Sequence, residues 1–279
     1  MSESNPLKQY FRQPAIYIRL PSNGQGWQPG SLEMPANGEL PIYPMTAIDE
    51  ITYRTPDALF NGQAVIDVIQ SCVPAVKNAW AAPLTDVNTL LVAIRIASYG
   101  HNMEFDTQCP KCNNEDSYDL DLRSVMDQLR SPDYSRTITH GDLEIRFRSM
   151  NYREQNASNL EQFENQQLVR AIPASDLPEE EKVQRMTEVM KSITKLTVRA
   201  LTNSIDSIRA PDAQVTDSAH IEEFLNNCDR ALFTRIRDHV IELRSSTDIR
   251  PVPIKCTNCT HEYQQGINLD MANFFAPAS

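Results

Sequence analysis

Two Cys-x-x-Cys pairs, Cys109-Pro110-Lys111-Cys112 and Cys256-Thr257-Asn258-Cys259, constrain this chain more than any other feature. A turn of that spacing sets two thiolates about 3 to 4 Å apart, and one zinc ion takes four ligands at about 2.3 Å, so the two pairs satisfy a single tetrahedral ion. The pairs also share a frame. Leu120 and Leu122 follow Cys112 at offsets of eight and ten, and Ile267 and Leu269 follow Cys259 at the same offsets. Each pair therefore reads as a turn followed by an alternating strand, the two halves of a split zinc ribbon. One Zn²⁺ per chain is expected, held by Cys109, Cys112, Cys256 and Cys259.

Six cysteines could instead form three disulfides. Four of them sit in Cys-x-x-Cys pairs, and the polar start MSESNPLKQYF has no signal-peptide character, so metal in a reducing cytosol is the expectation. A thioredoxin-like redox pair would open a helix after a buried strand, whereas NNEDS and THEYQQG follow here. Four thiolates close the zinc shell and leave no position for a reacting water, which makes the site structural. His261 is the alternative ligand, in place of one cysteine. His220 and His239 read as ordinary polar-face or core histidines, and Cys72 and Cys228 as small buried hydrophobes.

The fold class expected is α+β and mostly helical. Residues 1–13 read as a flexible arm, and 14–103 as an N-terminal α+β module. That module opens with short strands in AIYIRL (15–20) and ELPIYPM (39–45), covered by Trp27 and Tyr43. Between them, GQGWQPG lacks the Lys-Ser/Thr ending of a phosphate loop and reads as a glycine-rich turn. Val65, Val68, Ile69 and Cys72 mark one helix face that Pro74 ends. A second helix, capped by Thr85 or Asp86, runs through Leu90, Leu91 and Ile94 to Gly100, straight into the first knuckle. Arg95 is expected to snorkel at the surface, with a pairing to Asp49 or Glu50 as the alternative.

Residues 104–150 carry the first knuckle, a strand in SYDLDL, a short helix in DLRSVMDQL, and a hairpin of RTITH and LEIRFRSM turning at His140-Gly141-Asp142, with His140 solvated. Residues 151–248 read as a helical insertion. Leu160, Phe163 and Leu168 line its first helix. Asp176 caps the next, with Pro178 and Glu179, Glu180 and Glu181 in the first turn. Val183, Met186, Met190 and Ile193 form a stripe that continues weakly towards Ile205 and Ile208. The stripe is expected to pack on neighbouring helices, an exposed seam for another subunit being the alternative. Two further helices bury Ile221, Phe224, Leu225 and Cys228, then Leu232, Ile236, Val240 and Leu243. Residues 249–279 return as a strand in IRPVPIK to the second knuckle, and Phe274 and Phe275 in the tail are expected to dock on the body or a partner.

A net charge of −11 opposes attraction to nucleic acid or anionic lipid, because phosphate binding depends on basic side chains that release counterions. Around the first knuckle Lys111 stands among Glu104, Asp106, Glu115, Asp116, Asp119 and Asp121. No apolar run reaches the roughly 18 residues of a membrane span. The GxSxG, HExxH, P-loop and Rossmann patterns are missing from the sequence, so neither an enzyme nor a small-molecule substrate is expected. Protein partners are. The rival reading is a zinc-ribbon adaptor for nucleic acid or transcription machinery, which the local charge disfavours.

The run LPSNGQGW, then PMTAIDE, NGQAVIDVIQSCV, and LTDVNTLLVAIRIASYG leading into CPKC resembles the baseplate proteins of T-even-type contractile-tailed bacteriophages, the hub component and its assembly relatives. The resemblance covers residues 14–113, joined by the second Cys-x-x-Cys and the helical run before it. It implies a non-enzymatic role in building the baseplate hub. It also implies partners among other hub and tail proteins, with the tape measure protein a further candidate, and residence in the host cytoplasm during assembly or in the virion. Leu20, Pro21, Ser22, Gly24, Asp49, Glu50, Asp86, Arg95 and Gly100 would mark the shared amino-terminal module. The long helical insertion and the full set of four cysteines depart from the shorter members.

Overall fold

The computed structural model describes residues 5–53, 62–245 and 250–266. The chain is α+β and divides into two compact units, Met1–Ser131 with Thr247–Ser279, and Pro132–Ser246. Ile267, Leu269, Phe274 and Phe275 lie outside the described residues.

In the first unit β1 (Ile16–Ile18) pairs antiparallel with β2 (Leu40–Ile42). Alternation along both strands turns Ile18, Leu40 and Ile42 inward. After α1 (Ala47–Tyr53), α2 (Gln63–Cys72) buries Val65, Val68, Ile69 and Cys72, the face its spacing predicts, and stops before Pro74. Next, α3 (Leu84–Tyr99) is apolar on most of its circumference. Val87, Leu90, Leu91, Val92 and Ile94 are all at most 2% exposed, so it is the central helix of this unit. Gly100 ends it with φ 87°, a backbone conformation for which glycine carries no steric penalty.

The expected cap at Thr85 or Asp86 is not found. The helix begins at Leu84, behind Pro83 at the cap position and without a side-chain cap, and Asp86 faces inward from the first turn. Nor is Arg95 a surface side chain. It is 2% exposed, with its guanidinium 4.6 Å above the Tyr99 ring, whose hydroxyl donates to Glu50 at 2.8 Å. Asp49 is bound elsewhere, by Arg12, which also donates to the Pro44 and Ser71 carbonyls. Arg12 thus ties the end of the expected arm to α1 and α2, and Pro6–Tyr10 forms a 3-10 turn capped by Asn5.

Between α3 and the first knuckle runs β3 (Asn102–Gln108), paired in full register with β4 (Glu115–Asp121) from Asn102↔Asp121 to Gln108↔Glu115. Sequence reading missed β3 because NMEFDTQ alternates only Met103, Phe105 and Thr107 against polar neighbours. The short helix α4 (Leu122–Met126) follows, capped by Asp121. The second knuckle lies between β9 (Val252–Lys255) and β10 (Glu262–Gln265), also antiparallel.

The second unit holds β5 (Ile138–His140), β6 (Leu143–Phe147), β7 (Ile205–Ala210) and β8 (Ala213–Val215) in one antiparallel sheet of that order. Its helices are α5 (Tyr152–Ala174), α6 (Glu179–Ser204), α7 (Ser218–Asn227) and α8 (Arg230–Ser245). Ile205 and Ile208 do not extend the stripe of α6. They open β7 and pair with Phe147 and Ile145, which draws the hairpin into the same core as the helices. β-branched residues opposite apolar strand partners explain the switch. Ile221, Leu225, Leu232, Ile236, Val240 and Leu243 complete that core.

Helix α5 starts in a capping box: Asn151 accepts from the Glu154 N–H, and Glu154 accepts from the Asn151 N–H. Glu154 also binds Arg148 at 2.7 Å. Phe163 and Leu168 are 44 and 47% exposed. Helix α6 begins behind Pro178, so Asp176 is not its cap. Val183, Met190 and Ile193 are 63, 46 and 37% exposed, so the stripe is not packed on its neighbours as expected. No helix among the described residues is long and apolar enough to cross a membrane.

Candidate metal centre

Each knuckle is a turn at the end of a two-stranded ladder, and the two turns have the same backbone. The Asn113 N–H donates to the Cys109 carbonyl at 2.9 Å, and the Thr260 N–H to the Cys256 carbonyl at 3.0 Å. The Cys109 N–H donates to the Asn114 carbonyl, and the Cys256 N–H to the His261 carbonyl, both at 2.9 Å. Asn113 and Thr260, each one residue past its second cysteine, share a left-handed φ of 56°. The two Cys-x-x-Cys pairs thus form the same three-dimensional turn, although Leu122 opens a helix instead of extending the strand that follows the first pair.

The four sulphurs come together. All lie within 4.8 Å of one another. Cys109 Sγ is 3.7 Å from Cys259 Sγ, and Cys112 Sγ is 3.6 Å from Cys256 Sγ. A disulfide requires about 2.05 Å, whereas a tetrahedron with metal–sulphur bonds of about 2.3 Å has edges of about 3.8 Å. The spacing is compatible with a bound metal ion. Cys109 and Cys256 are buried, and Cys112 and Cys259 are partly exposed.

Hydrogen bonds join the two half-sites around the sulphurs. Thr257 donates from its hydroxyl to Asp116 at 2.7 Å, and Tyr118 donates to the Lys255 carbonyl at 2.9 Å. Thr107 donates to Gln265 Oε1 at 2.7 Å, and Asn258 Nδ2 approaches Cys112 Sγ at 3.8 Å. These bonds fix the outer frame that orients thiolate ligands.

Cys112 and Cys259 are shifted in opposite directions. The Asn114 backbone N–H chiefly draws Cys112 down to about 7, and neighbouring thiols add to this. At Cys259 the His261 N–H pulls down, but burial and the three other cysteines outweigh it and push the thiol up to about 12. The opposite directions at Cys112 and Cys259 reflect the cost of placing like charges side by side. The hydroxyl of Thr257 is the leading influence holding the Asp116 carboxyl below its ordinary range.

Among the described residues, none of the histidines singled out in the sequence joins the four cysteines as a ligand group. His261 stacks on Tyr263 with ring centroids 6.2 Å apart. His239 packs on Phe147 at 4.6 Å, His220 stands exposed beside Asp217, and His140 sits 3.6 Å from Asp229. Cys72 is buried beneath Arg12 at 3.8 Å, and burial first of all pushes its thiol up to about 12.

Sequence reasoning missed the role of Asp86. This wholly buried carboxylate accepts from the Ser22 N–H at 3.1 Å, the Ser22 hydroxyl, and Trp27 Nε1 at 2.7 Å. It anchors the LPSNGQGW loop to α3, with Leu20 buried beside it. Gly24 turns that loop at φ 83°, where an added Cβ would stand 3.1 Å from Met34. An acid at a helix start reads as a cap, which masked the inward orientation.

A family model described as T4 bacteriophage base plate protein matches residues 31–276, a span that contains both knuckles and everything between them. LPSNGQGW lies outside the match. No curated protein and no solved structure matches the chain.

Proposed function

The chain belongs to the T4 bacteriophage base plate protein family, and from that premise we propose that it is a non-enzymatic brick of the baseplate hub that works through protein–protein contacts. Cys109, Cys112, Cys256 and Cys259 hold one structural Zn²⁺. The observation that carries the reading is the four-sulphur cluster with its 3.6 and 3.7 Å contacts, inside the span that matches the family. Four thiolates fill a zinc shell and leave no open position for chemistry, so the ion would act as a clasp. Zinc at a site that forms only on folding adds about 10 kcal/mol.

In this reading the ribbon closes the chain at the point where the second unit leaves and returns, and the helices of that unit carry contact surfaces. Partners are other hub and tail proteins, with the tape measure protein among the candidates. Assembly takes place in the host cytoplasm, and the protein is retained in the tail.

Affinity purification from infected cells tests the reading. The tagged chain should co-purify with hub and tape measure components and be present in finished tails. Recovery alone, or with transcription machinery, would contradict it. A filter-binding titration at low salt separates the nucleic-acid rival. The acidic rim of the first knuckle predicts no salt-sensitive DNA binding at micromolar concentrations.

A further inference from the structure

Helices α5, α6 and α8 of the second unit enclose an apolar groove of about 660 Å³. Its lining along α5 runs from Gln155 to Arg170, about 22 Å at 1.5 Å per residue, the length of four helical turns. The apolar wall includes Met190 and Ile193 of α6 and Ile241 of α8, which are 46, 37 and 55% exposed. The Thr197 hydroxyl on the same wall is satisfied within the helix, by the Ile193 carbonyl at 3.1 Å. An elongated groove between helices, with anchors at helical spacing, has the shape that receives another helix.

The polar groups specify which kind. In a chain of net charge −11 the groove is lined by Arg170, Arg237 and Arg244 and, among the described residues, by no acidic residue. Arg170 is exposed and forms no ion pair among the described residues. Arg237 leans on its neighbour Asp238 at 2.8 Å, an exposed pair that is readily exchanged. Asn165 also lines the groove. It is 5% exposed, and its Nδ2 has no hydrogen-bond partner among the described residues, so a donor stands ready for an incoming oxygen.

We propose that this groove docks an acidic amphipathic helix of a partner chain, its apolar face on Met190, Ile193 and Ile241 and its carboxylates on Arg170 and Arg237. The methionine lets the wall adapt to side chains of different shape. The inference rests on the reading of the chain as a contact-making tail component. Co-purification and zinc content report on that reading separately.

Two labelled peptides of about 18 residues, five helical turns, test it on the full-length protein. Both carry Leu at three-four spacing, one flanked by Glu and the other by Lys. The Glu peptide should bind at least about tenfold more tightly. Ile193→Asp should weaken it by about tenfold or more, while Val183→Asp, on the same helix but outside the groove, should leave it unchanged. The double substitution Arg170→Glu with Arg237→Glu, confined to the groove rim, should reverse the preference. The proposal is overturned if neither peptide binds, if both bind equally, or if the charge reversal leaves the preference intact. It is also overturned if sedimentation shows a dimer that Ile193→Asp dissolves, since the occupant would then be a second copy.

Discussion

Cys109 and Cys259 stand 150 positions apart in the chain, and their sulphurs lie 3.7 Å apart. Cys112 and Cys256 repeat the arrangement at 3.6 Å. Each contact crosses from one knuckle to the other, so neither ladder completes the cluster alone. An ion held there would close a loop that contains the whole second unit, and long loops are where a cross-link removes the most entropy from the unfolded chain.

Cys109→Ser should therefore destabilise the protein far more than Cys72→Ser. Losing one thiolate forfeits much of a site with about 10 kcal/mol of binding free energy. The Cys72 substitution disturbs one buried polar contact, at about 1 to 3 kcal/mol. Thermal melts with and without a chelator check this. Chelator should lower the melting temperature of the parent and of Cys72→Ser, and leave Cys109→Ser almost unmoved. Equal melting shifts for the two substitutions would count against the clasp.

The matched turns give a reciprocal test. Asn113 and Thr260 both hold φ 56°, but asparagine tolerates the left-handed region and β-branched threonine does not. Thr260→Asn should stabilise by about 0.5 to 1 kcal/mol, and Asn113→Thr should destabilise by a similar amount. Urea unfolding of the two variants measures both. The same sign for the two would show that the turns are not equivalent.

Asp86 and Asp49 should act in opposite directions with pH. Burial is the main influence on Asp86 and holds its carboxyl above the ordinary value despite bonds from Ser22 and Trp27. The folded state then keeps a proton that the unfolded state loses above about pH 3.9, so this contribution to stability falls as pH rises through that window. At Asp49 burial also pushes upward, but the Thr46 N–H, the Ser71 and Thr46 hydroxyls and Arg12 outweigh it and lower the carboxyl. Its contribution is present above about pH 3.9 and is lost as pH falls through the folded value. Denaturation of the parent, Asp86→Asn and Asp49→Asn across acid pH should show stability differences that slope in opposite senses. Parallel slopes would contradict these assignments.

How much of this was legible in the sequence depends on what each residue faces. The spacing within the two Cys-x-x-Cys pairs led to one cluster because ligand spacing is a local rule. Val65, Val68, Ile69 and Cys72 were placed correctly because α2 has one buried face. Helix α3 resisted the same reasoning because it is buried nearly all round: Asp86, which accepts from Ser22 and Trp27, and Arg95, which stacks over Tyr99, look like surface residues by type but lie in the core. Ile205 continued a helical spacing by coincidence. Only its pairing with Phe147, far away in sequence, makes it a strand. The exposure of Met190 and Ile193 was equally illegible, since periodicity marks an apolar face without telling what covers it.

X-ray absorption at the zinc edge, on full-length protein purified without added metal, tests the central claim most directly. One zinc per chain with four sulphur neighbours at about 2.3 Å is expected. Protein that is fully folded without zinc, or a zinc shell containing nitrogen or oxygen ligands, would contradict it.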